Sequence, residues 1–335
     1  MKLQRYSNNP ILTANLHNEW ESLCVCNPAV WYEDGVFTML YRAAGNDNAH
    51  RIHLGLATST DGFTFVRQST HPVLSPTEGN YDSGCIEDPR IVKLGDTYYV
   101  TYACRPFAPG RYWEFPPTNQ PLCPGTELWG FDNNLTFTAL AATKDFRTFR
   151  KMGRMTKAGM DDRDVLLFPE KIGGRYVRLS RAKEWTGEVY GCEYPSIWLA
   201  YSENLLEWPD VGQCYLLATS REWWEQKLGA SAPPIYTDRG WFMLYHAVDE
   251  KGTYRVGAMI LDLEHPERVI GRTRSPILEP EETYETQGYY NGCVFPTGNV
   301  VKDGILYVYY GGADQYCCVA TADFDALVED VLRNL

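Results

Sequence analysis

The segment Cys85-Ile86-Glu87-Asp88-Pro89-Arg90-Ile91 sets two carboxylates beside a proline and an arginine, directly ahead of the apolar, aromatic run 91–102. In such a pair one negative charge raises the pKa of the other, so Glu87 and Asp88 could supply a general acid at the mouth of a strand. The same residues also suit a turn in which Arg90 pairs with an acid and does no chemistry. Further along stand Arg163, Arg181, Lys227 and His246. Brought together without equal local acid, these cations would form an oxyanion site, most simply for phosphate, which guanidinium grips with paired hydrogen bonds. Taken singly, each could be a structural salt bridge.

What could bring them together is an internal repeat. Five copies share an apolar stretch ending near a proline, a turn with Gly or Asp, a strand ending in an aromatic–polar pair, and a small-residue strand with an acidic turn. The anchor prolines Pro28, Pro89, Pro169, Pro233 and Pro296 are 61, 80, 64 and 63 residues apart. Short strands with turn signals at this period predict propeller blades of about four strands each. The expectation is all-β: a single-domain five-bladed β-propeller over 1–335, with a short helix at 324–335 and a possible helical turn near 223–228. The long second copy carries an insertion at 104–136, rich in proline and aromatics such as Tyr112, Trp113 and Trp129. A loop of this length is usually a lid, a binding wall or an oligomer contact.

In a propeller, equivalent positions of different blades converge on one end of the central channel. Aligned second strands place Arg42, Ala103, Arg181, His246 and Gly311 at one position. The first strands add Asn27, Asp88 and Arg163, Lys227 precedes the fourth copy, and Asp314 follows the second strand of the fifth. One pocket would then hold four cations with Asp88 and Asp314.

Composition narrows the partners. Of 335 residues, 44% are apolar and 22% charged, a soluble globular balance. Aromatics reach 14%, with 23 Tyr and 10 Trp, which favours strands and platforms on which sugar rings stack. The net charge of −12 argues against nucleic acid or an anionic membrane as partner. No run approaches a membrane span, and Met1 to Pro10 lacks the apolar core of a signal peptide. Ten cysteines include Cys192, Cys293, Cys317 and Cys318 inside expected strands, and Cys24-Val25-Cys26 matches no metal-ligand spacing. Reduced, buried thiols in a cytoplasmic protein without a metal site are expected.

The ordered set Asn27-Pro28-Ala29, Leu40-Tyr41-Arg42, Glu87-Asp88-Pro89-Arg90, Leu167-Phe168-Pro169-Glu170-Lys171, the stretch 227–234, Leu244-Tyr245-His246 and Tyr309-Tyr310-Gly311 with Asp314 resembles glycoside hydrolase family 130, the mannoside phosphorylases. The resemblance covers nearly the whole chain. It implies a five-bladed propeller that cleaves β-mannosidic bonds with inorganic phosphate as co-substrate, inverts the anomeric centre and releases α-mannose 1-phosphate, with no cofactor. It implies Asp88 as the general acid, acting through the mannosyl 3-hydroxyl. Arg163, Arg181, Lys227 and His246, with Tyr254, would bind phosphate, and Asn27, Arg42, Glu87 and Asp314 the mannosyl unit. An inverting hydrolase needs a second carboxylate to activate water, whereas phosphate arrives already anionic and needs only positioning and charge compensation. Two departures, the insertion and Ser180-Arg181-Ala182 in place of His-Arg-Pro, bear on the leaving-sugar subsite. The acceptor (glucose, mannose or N-acetylglucosamine) and the linkage (β-1,4 or β-1,2) therefore stay open. The alternatives are a water-using β-mannosidase, with a second acid such as Glu170 or Glu193, and a non-catalytic carbohydrate-binding propeller. Exposed aromatics in the insertion would suit a homo-oligomer contact.

Overall fold

The structure is a computed structural model that describes residues 1–107, 110, 135–157 and 160–334. Nearly all of the 104–136 insertion, with Tyr112, Trp113 and Trp129, lies outside the described residues. A two-residue strand, β1 (Gln4–Arg5), precedes five antiparallel sheets. The first holds β2 (Cys24–Glu33), β3 (Val36–Ala44), β4 (Ile52–Ser59) and β5 (Val66–Arg67). The second holds β6 (Cys85–Leu94), β7 (Thr97–Arg105), β8 (Phe137–Thr143) and β9 (Phe149–Arg154), touching the first by one parallel pair, Ile52 with Cys85. The third holds β10 (Asp162–Leu167), β11 (Tyr176–Ala182), β12 (Ile197–Ser202) and β13 (Tyr215–Ala218). In the fourth, β14 (Lys227–Ala230) and β15 (Ile235–Thr237) both pair with β16 (Gly240–Val248), followed by β17 (Tyr254–Leu261) and β18 (Val269–Arg272). After a helical turn, α1 (Thr283–Thr286), the fifth holds β19 (Val294–Lys302), β20 (Ile305–Gly312) and β21 (Tyr316–Asp323), with β1 as its outer strand.

The sheets stack face to face because their second strands are apolar on both sides. Met39 and Tyr41 of β3 pack against the fifth sheet, while Leu40 packs against the second. In β16, Met243 and Tyr245 face the third sheet, and Phe242 and Leu244 face the fifth. Val92 and Leu140 meet Val165 and Leu167 between the second and third. Alternation along each strand therefore fills two inter-blade cores at once, and the core joining sheets five and one closes the ring. This is a five-bladed β-propeller.

A buried polar motif, invisible to the apolar pattern, recurs across blades. Tyr41 Oη donates to Glu21 (3.0 Å), which also accepts from Arg67 Nε (2.8 Å). Tyr245 Oη donates to Glu225 (2.7 Å), paired with Arg272 (2.9 Å). Tyr310 Oη donates to Glu285 (2.7 Å), paired with Arg5 (2.9 Å). In the second blade Asp82 pairs with Lys151 at 2.5 Å, within electrostatic reach of Tyr102. Each network ties the second strand and the segment leading into the blade to a base on the outermost strand. Arg5 occupies that place in the fifth blade, so the N-terminal strand completes the last blade.

The expected C-terminal helix is α2 (Phe324–Leu332); Asp323 caps it by accepting from Ala326 N (2.9 Å). Phe324, Leu327, Val328 and Val331 form its buried stripe. Near 223–228 the chain makes a turn and then enters β14. No helix among the described residues is long and apolar enough to cross a membrane.

Candidate active site

The first strand of each of the first three blades breaks its register at the same place: between Cys26 and Ala29, Glu87 and Arg90, and Arg163 and Leu166. The first residue past each break has a left-handed backbone: Asn27 (φ 48°), Asp88 (φ 53°) and Asp164 (φ 61°). Asn and Asp tolerate this conformation better than other non-glycine residues. Three blades therefore turn a short polar side chain out of the ladder in the same way. Opposite the residue before the break stand Arg42, Ala103 and Arg181, matched in the other blades by His246 and Gly311.

On one wall, Asp88 Oδ1 accepts from Asn27 Nδ2 (2.7 Å) and Arg42 Nη1 (3.3 Å). Asn27 Nδ2 also reaches Asp314 Oδ1 at 3.4 Å, and Arg42 pairs with Glu87 at 3.0 Å. A Cβ at Gly311 would lie 1.8 Å from Asn27 Oδ1, so glycine is what admits the amide. Burial raises the Asp88 carboxyl above the usual range; Glu87 and Asp314 add to that, against Arg42 and Asn27. Burial also pushes Glu87 up, but Arg105 (2.9 Å) and Arg42 outweigh it and hold that carboxyl low. The pair is thus split into an ionised Glu87 and an Asp88 poised to carry a proton. The Asp88 side chain is 16% exposed and that of Asp314 27%.

On the other wall Arg163 and Arg181 are direct cross-strand partners. Like charges in that position repel, and two acids compensate. Arg163 donates to both oxygens of Asp161 (2.8 and 2.5 Å), which also pairs with Lys183 (2.9 Å). Arg181 Nη2 donates to Asp164 (2.5 Å), leaving its buried Nε and Nη1 without a partner among the described residues. Lys227 Nζ donates to Tyr254 Oη (2.8 Å). Burial, then Arg181, pulls its pKa down to about 7. Burial lowers His246 to about 4 despite Asp164, so its ring is neutral at pH 7. The Tyr254 ring stacks on His246 at 5.9 Å.

All ten sequence-predicted residues thus fall into two neighbouring groups. The cations, however, do not stand free of acid as expected, because Asp161 and Asp164 sit among them. Asp164 was missed. Its signal was the repeat itself, since it is the counterpart of Asn27 and Asp88, but its blade has Val165 where the other two have proline. Pro169 and Pro233 instead follow β10 and β14. Glu170 and Glu193 are exposed.

The profile of the family described as β-1,4-mannooligosaccharide phosphorylase matches residues 3–112 and 129–333. The chain belongs to glycoside hydrolase family 130. Within family 130 it is 37% identical to a 1,2-β-oligomannan phosphorylase of Thermoanaerobacter sp. strain X514, over 96% of this chain and 97% of the relative. A β-1,2-mannobiose phosphorylase of the same organism is 33% identical over the same shares. The structure of β-1,2-mannobiose phosphorylase from Listeria innocua, solved with β-1,2-mannobiose, superposes with a TM-score of 0.78 at 25% identity, over 99% of each chain.

Proposed function

We propose that the protein is an inverting phosphorylase of β-mannosides, acting on β-1,2-linked mannobiose or mannooligosaccharides, with residues 1–335 as one catalytic propeller domain. The relatives' activities support the linkage. Asp88 is the general acid, and Asn27, Arg42, Glu87 and Asp314 hold the mannosyl unit. Arg163, Arg181, Lys227 and Tyr254 bind phosphate, with His246 behind them. The observation that carries the reading is Arg181, buried with two unused donors opposite a second arginine. Unmade hydrogen bonds on a buried cation are costly, and a phosphate oxygen would satisfy them. A neutral glycan has no need of such a set.

In the reaction a phosphate oxygen attacks the anomeric carbon while the bond to the leaving sugar breaks. That sugar's oxygen keeps the electron pair and takes the proton of the mannosyl 3-hydroxyl, which is replaced by the proton of Asp88, and α-mannose 1-phosphate results. The acid raises the rate by lowering the charge that develops on the leaving oxygen, and the cations by holding the nucleophile in line. Nine cysteines are free among the described residues, which suits a reducing, cytoplasmic setting. A homo-oligomer would be compatible with this chemistry.

The test is incubation with β-1,2- and β-1,4-mannobiose, with and without inorganic phosphate. Phosphate-dependent release of the α-anomer, fastest on the β-1,2 substrate, is expected. Free mannose at an equal rate without phosphate would make the protein a hydrolase, and tight sugar binding without product would make it a binding module.

A further inference from the structure

We propose that Asp164 is a positioning residue, which fixes Arg181 and His246 on one side and, through Arg90, the bulge carrying Asp88 on the other. The inference rests on the phosphorylase reading, and the family resemblance assigns Asp164 no role.

Asp164 Oδ2 accepts from Arg181 Nη2 (2.5 Å) and lies 3.3 Å from His246 Nε2. Its Oδ1 accepts from Arg90 Nη2 (3.1 Å). Arg90 then donates from Nη1 to the carbonyl oxygen of Asp88 (3.1 Å) and from Nε to that of Ser231 (2.8 Å). One carboxylate therefore joins blade three to blades two and four, at the level where the acid and the cations sit. Gly229 lets the group close up: a Cβ there would lie 2.5 Å from His246 Nε2 and 2.6 Å from Asp164 Oδ2.

An ionised carboxylate only accepts, so Asp164 does not bind phosphate; it orients the groups that do. Burial pushes this carboxyl up, but Arg181, His246 and Arg90 outweigh it and keep it ionised. His246 has its second nitrogen, Nδ1, 3.3 Å from Ser231 Oγ, so both ring nitrogens face protein groups. Its contribution to phosphate binding then passes through Asp164 and Arg181.

The experiment is Asp164→Asn, which keeps size and removes charge, assayed in both directions after thermal melting has established that it folds. The KM for phosphate is expected to rise at least about tenfold, roughly 1.4 kcal/mol, while that for β-1,2-mannobiose stays within about twofold. In synthesis the KM for α-mannose 1-phosphate should rise and that for the acceptor should not. A merely structural role would lower kcat with both KM values unmoved, and that result overturns the proposal. Should the Asn variant fail to fold, Arg90→Lys cuts the link while leaving a charge beside Asp164. Because Arg181 and His246 keep their contacts to Asp164, kcat is expected to fall and the pH at which it declines to move, with the KM for phosphate within about twofold; an unmoved pH profile overturns the proposal. Wild-type turnover indifferent to phosphate would sink the phosphorylase reading itself, which the variants cannot do.

Discussion

Replacing Asp88 by Asn should move activity and stability in opposite directions. The folded state raises this carboxyl through burial and through Glu87 and Asp314. A carboxyl raised on folding binds its proton more tightly in the folded chain, so its ionised form costs stability in full above the folded pKa, and the cost is lost progressively as pH falls from there towards the lower, unfolded value. Asn has the same size and no charge, and Arg42 keeps Glu87 at 3.0 Å, so no cation is orphaned. The variant should melt at or above the wild-type temperature at pH 7–8, with the gap shrinking in acid. Turnover of β-1,2-mannobiose should fall about 10²–10⁴-fold, roughly 2.7–5.5 kcal/mol, the usual contribution of a general acid. An aryl β-mannoside, whose phenolate leaves without a proton, should lose far less. In the wild type, kcat should decline as pH rises through the Asp88 pKa. Equal losses on both substrates, or a variant that melts earlier at neutral pH, would refute the assignment.

Lys227, held down to about 7 by burial, should lose its proton as pH rises through neutrality, weakening phosphate binding. The wild-type profile of KM for phosphate minus that of Lys227→Met isolates the lysine from phosphate's own ionisation; superimposable profiles would remove Lys227 from the site. Glu225→Ala strands the buried Arg272, at a cost of about 3–5 kcal/mol. With about 2.1 cal/mol/K of unfolding entropy per residue over 335 residues, calorimetry should show a fall of about 4–7 °C in Tm. Gly311→Ala drives a methyl to within 1.8 Å of Asn27 Oδ1. A displacement of about 1 Å there should cost roughly 10²-fold in kcat with little change in Tm, and undiminished turnover would show that Asn27 does not hold Asp88.

The fold was legible because each blade repeats its turn signals and its doubly apolar second strand, and both follow from face-to-face stacking. The left-handed break was legible only where proline marked it, at Pro28 and Pro89. In blade three Val165 takes that place and the nearest proline, Pro169, stands five residues past Asp164, so the repeat pattern does not single out Asp164. The Tyr–Glu networks did leave a trace: Tyr41 and Tyr245 each follow their glutamate by 20 residues, as Tyr102 follows Asp82. In blade five the interval is 25, which blurs the pattern. The two-residue β1 carries too little pattern to announce itself, because its role depends on Arg5 meeting Glu285 from the far end of the chain.

The two walls of the site divide charge in opposite senses, and this division favours phosphate over water as the nucleophile. Around Arg42 three carboxylates converge and Arg105 relieves only Glu87, so a proton on Asp88 is the cheapest relief. Around Arg163 and Arg181 the cations outnumber the acids, and Asp161 and Asp164 cancel only enough charge to let two arginines sit opposite each other. A chain of net charge −12 repels a dianion at a distance, but screening confines that repulsion to about 8 Å in physiological salt, so this local excess decides binding. Water activation would require the reverse on the second wall: an unpaired carboxylate free to take a proton. Asp164 cannot serve, because Arg90, Arg181 and His246 occupy both of its oxygens. Asp161 is likewise held by Arg163 and Lys183. Glu170 and Glu193, the two acids the hydrolase reading would call on, are exposed. A nucleophile that brings its own negative charge needs no such base.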